Sequence, residues 1–308
     1  MHRLGLIVNP VAGIGGRVGL KGSDGLEIQQ KARALGAVPL ALQRATEALQ
    51  RVGPVERLKI FTFPGEMGAD AATASGFKPT ILGCIVAGQT TAADTANAAR
   101  TMLQRDLDLL LFAGGDGTAR DIHTAIGIQL PVLGIPAGVK IHSGVFATSP
   151  ANAGSLAALY LQGRAPELRE MEVMDIDEES FRLGTLSAKL YGYLKVPYRD
   201  RLVQSVKAAS PTNEAASLVG MAQDVVENMD DGGLYIIGPG TTTRAIADEL
   251  GVAKTLLGVD VITNKKLVAA DANEEQLLKL IRAGHSRIVV TPIGGQGYIF
   301  GRGNQQIS

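Results

Sequence analysis

Five short apolar runs, at residues 4–8, 58–63, 81–86, 109–112 and 132–135, punctuate the first half of the chain, and segments of helical character separate them. A strand apolar on both faces has to be covered on both sides, and strands that alternate with helices are joined by crossovers. The pattern therefore calls for a parallel sheet with helices packed on each face. The best-marked of those helices spans residues 90–103, which are rich in alanine and open on a Thr-x-x-Asp pattern, Thr91 to Asp94, suited to capping. Ligands of an open α/β sheet collect beyond the carboxyl ends of its strands, where Asn9, Gly114 to Thr118 and Pro136 are expected to emerge.

After residue 150 the alternation stops. Residues 171–176, 188–194, 234–237, 257–262 and 287–291 read as strands at uneven intervals, with polar helices over 214–229 and 274–282. The expected fold is thus α/β, a Rossmann-like parallel-sheet domain over residues 1–150 followed by a β-rich or mixed α+β domain over 151–308. A chain of 308 residues is long enough for two cores, and 45% hydrophobic with 19% charged residues excludes a disordered chain or a coiled coil.

Thirty basic residues balance thirty acidic ones, which leaves no general field to hold nucleic acid or an anionic membrane, so an anionic ligand must be held by local geometry. Aromatics make up 4% with no tryptophan, which argues against a stacking platform for single strands. No apolar stretch approaches the ~20 residues of a membrane helix, and no signal-peptide core follows Met1, so a cytoplasmic protein is expected. The one cysteine, Cys84, lies within the third apolar run and is expected to be a buried core thiol; with four scattered histidines it makes no transition-metal constellation.

The fourth apolar run leads directly into Gly114-Gly115-Asp116-Gly117-Thr118-Ala119-Arg120-Asp121. Glycines there let the backbone approach a bulky anion, and the helix that follows offers unpaired N–H groups to phosphate oxygens. A carboxylate would repel phosphate, so Asp116 either handles a proton or a metal ion, or is simply a helix cap. A second turn, Gly238-Pro239-Gly240-Thr241-Thr242-Thr243-Arg244, again follows a strand and opens a helix over 245–250; it suits a phosphate or a ribose, or is a threonine-capped helix start. A third stretch, residues 134–144, brings Lys140 and His142 to the same sheet edge, Lys140 to neutralise a phosphate and His142 to bond a ribose or nicotinamide group, unless both are merely solvated. Residues 13–25 are glycine-rich but lack both the Gly-Lys-Ser/Thr of a P-loop and the spacing of a dinucleotide fingerprint, leaving a flap carrying Arg17 and Lys21 or a plain surface loop.

The order strand, Gly-Gly-Asp-Gly-Thr, helix resembles the signature of the NAD kinase and diacylglycerol kinase superfamily, and Leu6-Ile7-Val8-Asn9-Pro10-Val11-Ala12-Gly13 is similar to its first strand and Asn-Pro turn. The Gly238 to Thr243 stretch resembles the Pro-Thr-Gly-Ser-Thr loop of NAD kinases without being identical to it. Asn213-Glu214 has the letters of the pair by which NAD kinases contact the nucleoside, at a helix start where the same residues serve as caps. Residues 291–305 resemble the close of the second domain in a divergent, acetoin-associated branch of ATP-NAD kinase-like proteins, which also shares Gly-Gly-Asp-Gly-Thr-Ala-Arg-Asp and Gly-Pro-Gly-Thr-Thr-Thr. Members of that branch generally run on past this point, which leaves open whether residue 308 is the natural end.

The resemblance implies an NAD kinase-like fold with its site in the cleft between two domains, and an ATP-dependent kinase that phosphorylates a hydroxyl, foremost NAD at the adenosine 2′-OH to give NADP. It implies Asp116 as the catalytic residue, with Asn9, Gly114, Gly115, Gly117, Thr118, Gly240, Thr241, Thr242 and Thr243 binding nucleotide; Lys140 joins them as a nucleotide-binding candidate from its place at the sheet edge alone, in a loop worded differently from that of NAD kinases and lipid kinases. ATP or polyphosphate would be the donor, with Mg²⁺ offsetting its charge, and no residue is assigned to a metal. Two alternatives stay open: a kinase for another small molecule or a lipid alcohol, and a non-catalytic nucleotide-binding sensor. Expected partners are small-molecule nucleotides and further copies of the chain in a homo-oligomer, with no nucleic acid and no membrane.

Overall fold

Strands β1 (His2–Val8), β2 (Leu58–Thr62), β3 (Thr80–Ile81), β4 (Leu109–Gly114) and β5 (Val132–Pro136) form a five-stranded parallel sheet in the order β3-β2-β1-β4-β5. The computed structural model describes all residues except 17, 19, 21–25, 54, 139–140, 165–166, 177–187, 200–201, 204–212, 256–257, 282–284, 292–298, 301–305 and 308, and the backbone alone of 26, 28 and 213–217. The described helices are α1 (Leu26–Ala34), α2 (Ala41–Val52), α3 (Ala69–Ala74), α4 (Ala92–Leu103), α5 (Asp116–Ile126), α6 (Pro150–Leu161), α7 (Asn213–Glu227), α8 (Thr241–Glu249) and α9 (Glu274–Ile281).

From β1 the chain moves outward through β2 to β3, then crosses to β4 on the other side of β1 and moves outward again to β5. The direction of winding therefore reverses between β1 and β4, and crevices of open α/β sheets form at such a reversal. Leu4, Leu6, Ile7 and Val8 of β1 and every residue of β4 and β5 are buried, which is why these strands read as unbroken apolar runs rather than alternating ones. Helix α2 turns Ala41, Ala45, Ala48, Leu49 and Val52 inward at helical spacing. Helix α6 lies close enough against it that a Cβ on Gly154 would collide with the Ala48 carbonyl oxygen. It starts on Ser149, whose hydroxyl accepts the Asn152 N–H at 3.0 Å, with Pro150 at its first position. Helix α4 begins where the Thr-x-x-Asp pattern puts it, the Asp94 carboxylate accepting the Thr91 N–H at 2.8 Å.

The third strand departs from expectation. Only Thr80 and Ile81 pair with β2, the Leu82 N–H adds one bond to the Thr62 carbonyl, and at Gly83, with φ of 60°, the chain turns away. Cys84 consequently lies exposed on the connection to α4 instead of in the core. An edge strand needs no more than the partner it has, so the apolar letters 84–86 are not drawn into the sheet.

By packing, one unit comprises Met1–Ile14 and Val38–Val206, the other Gly15–Ala37 and Lys207–Ser308. The first keeps α6 and the antiparallel ribbon of β6 (Leu168–Ile176) and β7 (Ala188–Pro197), because α6 packs on α2 and the ribbon on α5 and β5, burying Val173, Leu194 and Val196. Between α5 and the ribbon, Arg120 Nη1 bonds Asp175 Oδ2 at 2.7 Å.

The second unit is built on a four-stranded mixed sheet, β10-β9-β8-β11, made of β8 (Leu234–Ile237), β9 (Asp260–Thr263), β10 (Lys266–Ala269) and β11 (Ser286–Val289); β11 runs parallel to β8 and the other pairs are antiparallel. Tyr235, Ile237 and Ile262 pack with Ala222 and Ile246 on one face, while Ile236, Val259 and Val261 pack with Leu277 on the other. β9 and β10 are joined through Asn264 and Lys265, with φ of 48° and 58°, a two-residue left-handed turn that matches the twist of a hairpin. Ahead of β9 lies a buried ion pair, Lys254 Nζ to Asp260 Oδ2 at 2.9 Å with both side chains sealed from solvent. The lysine also donates to the Thr255 and Gly258 carbonyls, and the carboxylate also accepts the Thr255 N–H and hydroxyl and the Asp271 N–H.

Candidate functional site

Three loops leave the carboxyl edge of the parallel sheet, after β1, β4 and β5, and hydrogen bonds tie them together. The Asn9 N–H continues the ladder to the Ala113 carbonyl at 2.9 Å, and the Asn9 Oδ1 accepts the Val11 N–H at 3.2 Å, closing a short turn on itself. The Asn9 Nδ2 donates to Thr118 Oγ1 at 3.0 Å, which joins the Asn-Pro turn to the first turn of α5 across the β1/β4 reversal. The Gly114 carbonyl accepts the Ala137 and Gly138 N–H groups at 2.8 and 2.9 Å, drawing in the loop after β5.

Close approach explains the glycines here. A Cβ on Gly114 would overlap the Thr118 side chain, and one on Gly115 would stand 3.2 Å from the Gly138 Cα. Gly13, with φ of 76°, both needs a left-handed backbone and faces the Ala137 carbonyl oxygen, with which a Cβ would collide. Helix α5 starts on Gly115 with no side-chain cap, and its first internal bond runs from the Ala119 N–H to the Gly115 carbonyl. The N–H groups of its opening turn, those of Gly117 and Thr118 included, thus have no partner within the helix and form the anion-binding end of a helix dipole.

Asp116 does not cap its own helix. Its carboxylate, only 6% exposed, reaches the loop after β5: Oδ1 accepts the Ser143 N–H at 3.0 Å, and Oδ2 accepts the His142 N–H at 2.7 Å and faces His142 Nδ1 at 3.1 Å. That loop is held from its other side by the ribbon. The Ser143 hydroxyl donates to the Met174 carbonyl at 2.8 Å and accepts the Met174 N–H at 2.9 Å, and the Gly144 N–H donates to the Glu172 carbonyl. A chain of contacts therefore runs from β6 through Ser143 to Asp116. Nothing in the sequence announced it, because the partners lie 27 and 31 residues apart and the groups of His142 and Ser143 that donate to the Asp116 carboxylate are backbone N–H groups. Arg44 was missed for the same reason: from α2 its Nη1 reaches the Pro136 carbonyl at 3.1 Å, bringing a guanidinium to the carboxyl end of β5.

The second glycine-led turn belongs to the other unit. Gly240 starts α8 at φ 122° and ψ 166°, a conformation open essentially to glycine alone. Thr243 is fully buried and donates its hydroxyl to the Gly238 carbonyl at 2.7 Å, with the Gly240 carbonyl 3.1 Å away. Thr243 therefore braces the turn from within, whereas Thr241 is exposed and Thr242 half-buried. Asn213 and Glu214 do open helix α7. The side chains of that pair, together with Lys140, Arg17, Lys21 and residues 292–298 and 301–305 of the carboxyl-terminal run, lie outside the described residues. Among the described residues no group of three His, Cys, Asp or Glu side chains converges as a metal cage would require.

A family model described as the ATP-NAD kinase N-terminal domain matches residues 4–165, and one described as the ATP-NAD kinase C-terminal domain matches residues 230–308. Among curated proteins no match is found. Two solved structures of a "putative diacylglycerol kinase" from Bacillus anthracis str. Sterne are similar at 16% and 17% identity, with TM-scores of 0.31 and 0.29; each similarity covers 57% of this chain. The matched part is 45% of the first of those chains and 46% of the second, less than half of either.

Proposed function

Because the chain belongs to the ATP-NAD kinase family, we propose that it is an ATP-dependent kinase that transfers a phosphoryl group to a hydroxyl, with NAD at its adenosine 2′-OH as the acceptor and NADP as the product. The observation that carries this reading is the Asn9 to Thr118 bond across the β1/β4 reversal, which fixes the uncapped start of α5 where a parallel sheet receives its ligand. Phosphoryl transfer asks little covalent chemistry of a protein. It needs the donor phosphates held, charge offset and the hydroxyl oriented, all of which a glycine turn, a helix start and one carboxylate can do. Gly114, Gly115, Gly117 and Thr118 would hold phosphate, with Asn9 fixing their turn and Asp116 serving the hydroxyl. The turn at Gly240, with Thr241 and Thr242, would hold a phosphate or ribose of the dinucleotide.

The described residues form no cage for a divalent cation, and both oxygens of Asp116 already accept backbone N–H groups. Mg²⁺ therefore enters the proposal as the companion of the donor phosphates, supplying charge neutralisation with no residue of this chain assigned to it. Calorimetry with NAD, NADP, ATP and polyphosphate, followed by an assay for NADP formation, tests the reading. Binding of NAD and ATP with NADP produced is the expected result. Tight nucleotide binding with no transfer to any acceptor would establish a sensor instead, and transfer to another alcohol with NAD inert would reassign the acceptor.

A further inference from the structure

We propose that Arg120 and Asp175 are positioning residues for Asp116: their ion pair closes a ring of contacts that fixes where the Asp116 carboxylate points. This deepens, and rests on, the reading of Asp116 as the group that serves the acceptor hydroxyl. The carboxylate takes its place from the loop after β5, since Oδ1 accepts the Ser143 N–H at 3.0 Å and Oδ2 the His142 N–H at 2.7 Å. That loop takes its place in turn from the ribbon, where the Ser143 hydroxyl exchanges two hydrogen bonds with the Met174 backbone and the Gly144 N–H reaches the Glu172 carbonyl. Yet the ribbon is irregular at this spot. The β6–β7 register shifts between Val173 and Met174, with Gly192 opposite Val173, and a bulge of this kind releases backbone groups from the ladder and bends the strand. Something has to set the strand beside Met174, and the next residue does so: Asp175 Oδ2 meets Arg120 Nη1 at 2.7 Å, with the two side chains 17% and 34% exposed. The Arg120 guanidinium also lies over the Tyr191 ring of β7, 5.7 Å from its centroid, so it touches both strands of the ribbon. Arg120 stands one helical turn past Asp116 on the same face of α5. The path from Asp116 through Ser143, Met174, Asp175 and Arg120 therefore returns to its start, and in a closed path no member moves without straining another. His123, a further turn along that face, lies against the bulge: a Cβ on Gly192 would overlap its Nε2. One stripe of α5 thus carries the carboxylate and the two side chains that seat the ribbon holding it. A partly exposed ion pair adds little to global stability, so the effect of removing it is felt locally.

Arg120→Ala and Asp175→Ala test the assignment. Each should lower kcat by about 10- to 10²-fold, the cost of a reacting group shifted by about an ångström. The KM values for NAD and ATP should stay within about twofold, because the glycine turn and the start of α5 are untouched. Removing both side chains should be no worse than removing either, since both break the same ring. Arg120→Lys, whose ammonium still reaches Asp175, should recover most of the lost kcat. Asp175→Asn, which keeps the shape of the side chain and with it the packing of the ribbon, should be slow as well. Amide hydrogen exchange supplies a readout independent of turnover: in Arg120→Ala the N–H groups of Ser143 and Gly144 should exchange faster by on the order of 10-fold, with those of β1 and β4 unchanged. Unchanged kcat, a raised KM with kcat intact, additive losses in the double variant, or exchange accelerated throughout the unit rather than at the loop would each overturn the assignment. A wild type that transfers no phosphoryl group overturns the kinase reading, and the ring then stands or falls on the exchange at Ser143 alone.

Discussion

Two glycine-led turns carry a strand into a helix, one in each unit, and their backbones are near mirror images: Gly115 sits at φ −122° and ψ −166°, Gly240 at φ 122° and ψ 166°. Neither helix start has a side-chain cap, so both present N–H groups. What holds each turn differs. The side chains of the first reach outward, Asp116 to the loop after β5 and Thr118 to Asn9, whereas in the second Thr243 turns back on the turn's own carbonyls and the tie to a neighbour is a backbone one, from the Gly238 N–H to the Val289 carbonyl. A turn whose side chains grip its neighbours can fix a side chain for chemistry, and a turn whose buried side chain grips the turn itself offers its backbone and exposed hydroxyls. On the proposed function, similar letters, glycines followed by threonine, would thus serve a reaction centre in one case and a binding lip in the other.

The largest effect that could break this contrast is that of Asp116→Asn. Both carboxylate oxygens accept backbone N–H groups, so an amide must turn its NH₂ on one of those donors. A buried donor left unmatched costs about 1–3 kcal/mol, and loss of the carboxylate proposed to serve the hydroxyl should slow transfer by about 10²- to 10⁴-fold. Melting temperature and turnover measured on one preparation check both. Equal stability and equal turnover would show that neither the buried hydrogen bonds of Asp116 nor its charge matters to the fold or to transfer.

Next comes Gly240→Ala, which forces a side chain into a glycine-only conformation and should destabilise by about 1–3 kcal/mol, visible in denaturant unfolding. An unchanged midpoint would mean that the turn relaxes freely. Thr243→Val should cost about 1–2 kcal/mol of stability with little direct effect on ligand, because its hydroxyl faces inward. Thr242→Val should do the reverse, weakening NAD binding by about 1–3 kcal/mol in calorimetry while the protein melts as before. If the two threonines trade these effects, the self-tied turn has been misread. The smallest effect belongs to Gly115→Ala: the backbone there is extended, and a Cβ would press on the Gly138 Cα at 3.2 Å, which asks for a shift of a few tenths of an ångström. Its cost in stability should stay below about 1 kcal/mol, well under that of Gly240→Ala, and a reversal of that order in thermal unfolding would show that closeness rather than conformation governs these turns.

Much of the parallel sheet was legible in the sequence because burial on both faces erases alternation: β1, β2, β4 and β5 lie where the apolar runs put them. The ribbon strands and β8 were read in nearly their true places, while β10 was not read at all, its four residues Lys266-Leu267-Val268-Ala269 being too short and too mixed to stand out. Cys84 was misplaced because hydrophobicity tells that a run is apolar but not where an edge strand stops, and Gly83 stops it. Within the site the glycines and Asp116 were visible as a motif. Their partners were not, since the N–H groups of His142 and Ser143 have no letter of their own and the Arg44 contact spans 92 residues.

The sealed Lys254–Asp260 pair has a consequence for how this sequence can change over time. Losing either partner strands a charge in the interior at about 3–5 kcal/mol, whereas exchanging both for well-fitted apolar residues can be nearly neutral. Drift by single steps at either position is therefore blocked while the joint change is open. Positions 254 and 260 are bound to a common history, and relatives of this chain should keep both charges or neither.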